Sequence, residues 1–472
     1  MTWDVITFGL VLAGFIVLVA WFSELLTRIT RIPNIVFYLL FSLLLAPFIF
    51  LFGAGLIDQQ ILELIIGLCI AIVVFEGGYS FNRCISTIES HLPGHRRRDC
   101  KPLPFRHLLR RILRLSVIAG IITAIVMTFI FIFIAGFPPI LAALAGALCA
   151  ITGPTVINPI LRELNIKEDI AETLQGEGEL NDPIFGIVAA AIFTAFTIEA
   201  IVGTTHLVLI IVLSAVDLVI GILVGLAIGG IGIFLGKYIR PWATIRYGHR
   251  FNQTVVVTLD MLGLLCAALI AYGLGKIFGI EAAITATLIA GVLLGQRHRF
   301  ERHIHNHRTK EELEELEELI EAEIHTFQLP LTHIAVATIF IVSISFTLPF
   351  LVTVASQINS VLLALTVVCL LIFVVRPIAI FVATMRSPLS FREKLFLSFL
   401  APRGVIISAL ALFFAFDITL HPLGSTNLAA TLLWFILVIV FVTVLVQGSL
   451  ASWMARKTGV IASEPEEDSE LL

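Results

Sequence analysis

The sequence predicts an all-α membrane protein. About thirteen transmembrane helices form two inverted six-helix repeats, with two broken helices crossing near mid-membrane. Three observations predict this. The 472 residues are 58% hydrophobic and only 14% charged, with a mean hydropathy of +1.03, whereas a soluble domain carries about 25% charged residues. Apolar segments of about 20 residues, the length that spans a bilayer, recur along nearly the whole chain. Glycine and proline interrupt two of those segments, and carboxylates interrupt a third.

In order, the segments run about 4–22, 34–52, 60–76, 112–136, 138–163, 170–197, 206–236, 252–273, 278–296, 331–353, 358–384, 395–416 and 430–454. The first has no positive n-region and no small-residue cleavage site, so it reads as a membrane helix rather than a cleaved signal. With the N-terminus outside, 27 of the 30 Lys and Arg residues fall on the cytoplasmic side. Only Lys276 lies outside, and Arg376 and Arg403 lie within segments. The opposite orientation would reverse this bias, so the positive-inside rule sets the C-terminus in the cytoplasm of a multi-pass cell (inner) membrane protein.

Thirteen segments divide as six, one and six, which gives the halves opposite topology, as in many secondary transporters. Residues 1–197 form the first repeat and 252–456 the second. Residues 198–251 hold the linking seventh segment and a cytoplasmic loop, and 457–472 form an acidic disordered tail. Segment 5 carries Thr152-Gly153-Pro154-Thr155 and Asn158-Pro159. Segment 12 carries Ala401-Pro402-Arg403-Gly404. Each is the fifth helix of its half. Proline removes a backbone donor and glycine relaxes the chain, so both helices are expected to break, with freed carbonyls and half-helix ends available to a cation.

Segment 6 carries Gln175-Gly176-Glu177-Gly178-Glu179-Leu180-Asn181-Asp182-Pro183. A carboxylate at the centre of a bilayer helix costs about 3 kcal/mol or more and marks a functional site by default. Glu177 and Asn181 are four apart and share a helix face. Arg376, on segment 11, needs an acidic partner at that depth. The expected partner is Glu177, with Asn181 satisfying the leftover lone pairs. Arg403 either offsets the negative end of a half-helix or pairs with another acid. Glu179 could titrate as a second carrier, and its neighbours give no reason to prefer that over a water-facing position. Asp182 is left without a permanent cation. It can hold a proton or a small cation but not both, and mutual exclusion at one carboxylate is sufficient for exchange.

These residues also resemble a known family. The chain is similar to the NhaP-like prokaryotic sodium/proton antiporters of the cation–proton antiporter superfamily, in the branch whose ion site carries Asn-Asp. The matching segments are Arg31-Ile32-Pro33, Phe75-Glu76-Gly77-Gly78, Thr152-Gly153-Pro154, Gly176 to Pro183, Arg403-Gly404 and Thr443 to Gly448. The resemblance implies Asp182 as the exchange carboxylate and Thr152 as a second ion ligand through its carbonyl or hydroxyl. It implies Glu177, Asn181 and Arg376 as a supporting network, and Arg403 as a stabiliser of the second broken helix. Two positions depart from the family: Gly153 stands where it has an aspartate, and Gly178 where it has a serine. Thr155, Asn158, Glu179 or water are the groups available to compensate.

The expected function is therefore secondary antiport of a monovalent cation against H+, serving pH homeostasis. Na+ is the expected cation, Li+ or K+ are alternatives, and exchange at Asp182 is electroneutral, one for one. The alternatives are a K+/H+ antiporter and, less favoured, a cation channel, which would line its pore with carbonyl or acidic rings. No HExxH or Gly-x-Ser-x-Gly lies in a segment, so no enzyme is expected. No cofactor or nucleic-acid partner is called for. The expected partners are the ions, the lipid bilayer and a second copy of the chain in a homodimer. Asp217 and Asp260, also in apolar segments, read as structural. So do the histidines of residues 298–307, a solvated loop, and the Glu-rich stretch 311–323, a short cytoplasmic helix. Of the six cysteines, four lie in apolar segments, and none forms a CxxC pair.

Overall fold

A computed structural model of the chain describes residues 5–30, 34–53, 59–90, 105–153, 157, 161, 164, 166–202, 207–247, 253–296, 330–342, 344, 345, 348, 351–420 and 426–461. These residues are almost entirely helical. The first long helices are α1 (Val5–Thr30), α2 (Asn34–Gly53) and α3 (Gln59–Ser90). Segment 4 is α4 (Phe105–Arg114), a π-helical turn (Leu115–Ala119) and α5 (Gly120–Phe133). There follow α6 (Pro139–Ala150), α7 (Glu168–Val202), α8 (Leu207–Tyr247), α9 (Gln253–Lys276) and α10 (Ile280–Gly295). Next are α11 (Pro330–Val342) and α12 (Ile358–Leu370), which leads through a second π-helical turn (Leu371–Val375) into α13 (Arg376–Ala383). The chain closes with α14 (Phe391–Phe399), α15 (Val405–Leu420) and α16 (Thr426–Thr458).

Among the described residues, nine helices are long and apolar enough to cross a membrane, and four shorter apolar helices accompany them. Two of the short ones, in α6 and α15, are short for the reason the sequence predicts. Segment 5 stops being helical at Ile151 (φ −65°, ψ 129°), and segment 12 is non-helical over residues 400–404. The boundary expected at 197 falls inside α7, and that at 457 falls inside α16. Residues 457–461 belong to the fold: Val460 is buried, and its carbonyl accepts from Lys167 N at 2.9 Å ahead of α7. The tail beyond 461 and the 298–323 loop lie outside the described residues.

Helix ends are set locally. Gly136, at φ 70°, turns α5 back toward α6, and Pro139 opens α6 where its missing N–H costs nothing. α14 begins with a capping box: Glu393 N donates to Ser390 Oγ (3.3 Å) and Ser390 N to Glu393 Oε2 (2.8 Å). The core is aromatic and aliphatic. Phe137 packs between Phe131 and Phe435 (ring centroids 5.1 and 5.4 Å, the latter edge to face), tying the α5–α6 hairpin to α16. Phe193 stacks on Phe414 at 4.5 Å, tying α7 to α15. Outside this core, apolar side chains such as Leu223, Leu226 and Phe234 of α8 remain exposed, as surfaces facing lipid require.

The two breaks cross backbone to backbone. Gly153 N donates to Pro402 O at 3.2 Å. A Cβ at Gly153 would lie only 2.8 Å from Gly404 N, closer than side chains are found to approach backbone. Glycine is therefore demanded by contact with the second break, beyond any effect on the local bend. Gly153→Ala is expected to lower stability by about 1–3 kcal/mol, the usual effect of overpacking a filled site. Thermal unfolding in detergent measures it, and a wild-type melting curve would mean that the crossing has room for a methyl group.

Candidate functional site

The site forms where α7 passes the crossing. Its carboxylates come within reach of the breaks because the motif sits at mid-helix in α7. Glu177 Oε1 lies 2.6 Å from Arg376 Nη2, and both side chains are buried. This is the pair expected from the sequence. Arg376 follows the second π-helical turn directly, its N–H reaching back five residues to Leu371 O. Such turns shift the register of everything after them and recur at functional sites. The first π-helical turn lies on the other side: Ser116 Oγ donates to Glu177 O at 3.4 Å.

Asn181 does not serve Glu177 as expected. Its Nδ2 donates to Thr152 Oγ1 (3.1 Å) and to Ala150 O (3.3 Å). Sharing a face with Glu177 places it one turn along the helix, level with the break rather than with the ion pair. Arg403 takes the first of its two sequence readings. Its Nη1 donates to Ile151 O at 2.8 Å and to Ala150 O at 3.5 Å. A cation thereby meets the negative C-terminal end of α6. The carbonyls expected to be free for an ion, those of Ala150 and Ile151, are thus already engaged by protein donors.

Asp182 is buried, and its Oδ1 has no hydrogen-bond partner among the described residues. The charges it feels are Glu179, which repels it, and Arg403, which attracts it. Glu179 is not water-facing. It is 4% exposed, and its Oε1 accepts from Gln175 Nε2 at 3.0 Å. Thr152 is buried at the crossing with its hydroxyl oxygen already accepting from Asn181. Thr155 and Asn158 lie outside the described residues. Described oxygens available to meet a monovalent cation include Asp182 Oδ1 and Asn181 Oδ1, neither of which has a hydrogen-bond partner among the described residues, with Thr152 beside Asn181. The donor set is hard oxygen, which suits Na+ better than a soft metal.

Three features were not read from the sequence. Arg111, placed there in a basic loop, is buried, with Nη1 3.3 Å from Thr173 Oγ1 and 3.5 Å from Asp169 Oδ2. It anchors the first turns of α7. The π-helical turns have no compositional signature. Thr443 and Gln447 were quoted only as part of a family signature, without a role. Asp217 stands apart from the site. A Cβ at Gly279 would lie 3.3 Å from its Oδ2, so it borders the N-terminus of α10, where negative charge is favourable. Asp260 lies on α9.

Removing one partner of a buried ion pair strands the other, at about 3–5 kcal/mol. Glu177→Ala and Arg376→Ala are each expected to lose stability on that scale, and the double variant less than the sum of the two. Melting temperatures of the four proteins test this. Strictly additive losses would mean that the two side chains do not act as a pair.

With this geometry in view, the comparisons with known proteins align. A model of the sodium/hydrogen exchanger transmembrane family matches residues 14–457. The chain is 26% identical over 372 residues to the probable Na(+)/H(+) antiporter 2 of Methanocaldococcus jannaschii, covering 74% of this chain and 77% of that one. It is 23% identical over 367 residues to Na(+)/H(+) antiporter 1 of the same organism, covering 75% and 77%. The fold superposes on the solved structure of the sodium proton antiporter MjNhaP1 from M. jannaschii at pH 8, with a TM-score of 0.65 at 20% identity, over 97% of this chain and all of that one. The family match spans both breaks, the α7 carboxylates and Arg376, and the chain belongs to the sodium/hydrogen exchanger family.

Proposed function

We propose that the protein is a secondary active antiporter that exchanges Na+ for H+ across the membrane, with both ions competing for Asp182. One observation carries this reading. Asp182 is buried with an oxygen that has no hydrogen-bond partner among the described residues, while Glu177, five residues away, is held against Arg376. One acid is fixed and one is available. Thr152 contributes a second oxygen at the crossing, Asn181 orients it, and Arg403 keeps the carbonyl end of α6 in place. Alternating access then proceeds by movement of the crossing helices against the rest, between the inverted halves 1–197 and 252–456. The unit sits as about thirteen spans in the cell membrane, N-terminus outside, supported by the distribution of Lys and Arg. It works as a homodimer, with the exposed apolar face of α8 available to a second copy.

Asp182→Asn should abolish Na+-driven recovery of a pH dye in proteoliposomes while leaving a folded protein. Wild-type flux would sink the assignment. Because a bound proton excludes the cation, the apparent KM for Na+ in the wild type should rise as pH falls, by up to about tenfold per unit. An unchanged KM across two pH units would argue for separate sites. Replacing Na+ by Li+ or K+ in the same assay reads the selectivity of the site.

The proposed exchange is one Na+ for one H+. Asn181 carries no charge and Glu177 is already neutralised, so one unit charge crosses in each direction. Imposed membrane voltage should then leave the rate unchanged. Voltage-driven Na+ uptake without a pH gradient would show a second proton on the cycle, and Glu179, buried beside Asp182, would be the group to examine.

A further inference from the structure

The segment Thr443 to Gly448 has no part in the site described above, yet it faces the second break. Thr443 and Gln447 are four residues apart on α16, so they share a face at about 6 Å along the axis. Opposite them runs the non-helical stretch 400–404. Two backbone amides of that stretch bond to this face: Arg403 N donates to Thr443 Oγ1 at 3.2 Å, and Ala401 N, which also reaches Phe399 O at 3.2 Å, donates to Gln447 Oε1 at 3.2 Å. Pro402 between them has no N–H to satisfy, and its carbonyl accepts from Gly153 N. Thr443 in turn donates its hydroxyl proton to Val440 O at 3.1 Å, which leaves a lone pair aimed at Arg403. Both side chains are buried, with Thr443 1% and Gln447 2% exposed.

Arg403 is thus held twice. Its backbone is fixed to α16 and its guanidinium to the end of α6. The length of its side chain relates the two. Any change in the height of residue 403 moves Nη1 relative to Ile151 and Ala150, and so moves the break that carries Thr152.

We propose that Thr443 and Gln447 are positioning residues for cation exchange. From α16 they set the height of Arg403, and through it the arrangement of Thr152 and Asp182 that the cation meets. The proposal rests on Asp182 being the exchange carboxylate.

The test is the Na+ and pH dependence of exchange in proteoliposomes. Thr443→Val keeps the shape and removes the acceptor. It should raise the apparent KM for Na+ about tenfold, the effect of one lost hydrogen bond. It should also displace the pH profile, with kcat within about twofold of wild type. Thr443→Ser should restore wild-type values, and Gln447→Met should act like the valine variant. In an Arg403→Lys background the valine substitution should add less than it does alone, because it acts through Arg403. A Thr443→Val protein with wild-type KM and pH profile would overturn the proposal. So would a serine variant no better than valine, or additive effects with Arg403→Lys. If neither the valine nor the methionine variant folds, by gel filtration and thermal melt, the role is structural and the proposal fails. Asp182→Asn is assayed alongside. Transport in that variant would remove the exchange carboxylate assignment while the comparison at Thr443 still stands on its own.

Discussion

Two unwound backbones meet inside a helical bundle, and the membrane supplies no water to satisfy them. Each free N–H or C=O there must find a protein partner. The crossing is built by meeting that demand group by group. Gly153 N takes Pro402 O, Ala401 N and Arg403 N go to α16, and the last carbonyls of α6 receive Arg403 and Asn181. Proline at 402 removes the one donor that would have pointed away. Contact this close needs glycine at 153, where a Cβ would meet the backbone of Gly404. Most polar side chains described near the crossing therefore complete the backbone, whereas Asp182 Oδ1 has no hydrogen-bond partner among the described residues.

Charge follows the same logic. A buried Arg376 and a buried Glu177 are each very unfavourable alone and acceptable together. Their pairing fixes α7 against α13. The π-helical turns, at Leu115–Ala119 and Leu371–Val375, both lie against this pair. One precedes Arg376, and the other brings Ser116 to the backbone of Glu177. Such turns displace the following residues by a fraction of a helical turn. Without that displacement Arg376 would leave Val375 at its radial position and face a different neighbour.

Much of this was legible in the sequence because the bilayer permits few alternatives. Gly153-Pro154 and Pro402-Arg403-Gly404 could not continue a helix, and Arg376 could not remain alone, so both breaks and the ion pair were readable. The partner of Asn181 was not. Spacing on one helix says which residues share a face, and says nothing about which element crosses that face. Asn181 shares its face with Glu177 but lies a turn further along, where Thr152 arrives from 29 residues away. The burial of Glu179 escaped for the same reason, since on a helix surrounded by protein no face is water by default. Arg111 was counted as a loop cation because composition cannot separate a basic loop from the first turns of a helix that dips inward. Thr443 and Gln447 carried no signal beyond their four-residue spacing, which acquires meaning only against the non-helical stretch whose amides they accept from.

The asparagine before Asp182 and the glycine at 153 are consequences of one arrangement. Asn181 donates to Ala150 O and to Thr152 Oγ1. An aspartate there could only accept, which would leave the α6 carbonyl to Arg403 alone and set a second carboxylate beside Asp182. At position 153 an aspartate would need space that Gly404 occupies, and it would add charge where Arg403 already balances the end of α6. Closing the backbone contact thus removes one oxygen ligand, and the amide donor keeps Thr152 in register without adding another charge. Among the described residues one oxygen of Asp182 keeps no hydrogen-bond partner, with Glu179 and Arg403 as the neighbouring charges. In the proposed exchange that oxygen is where proton and cation compete, and the bonds of the crossing fix the backbone around it.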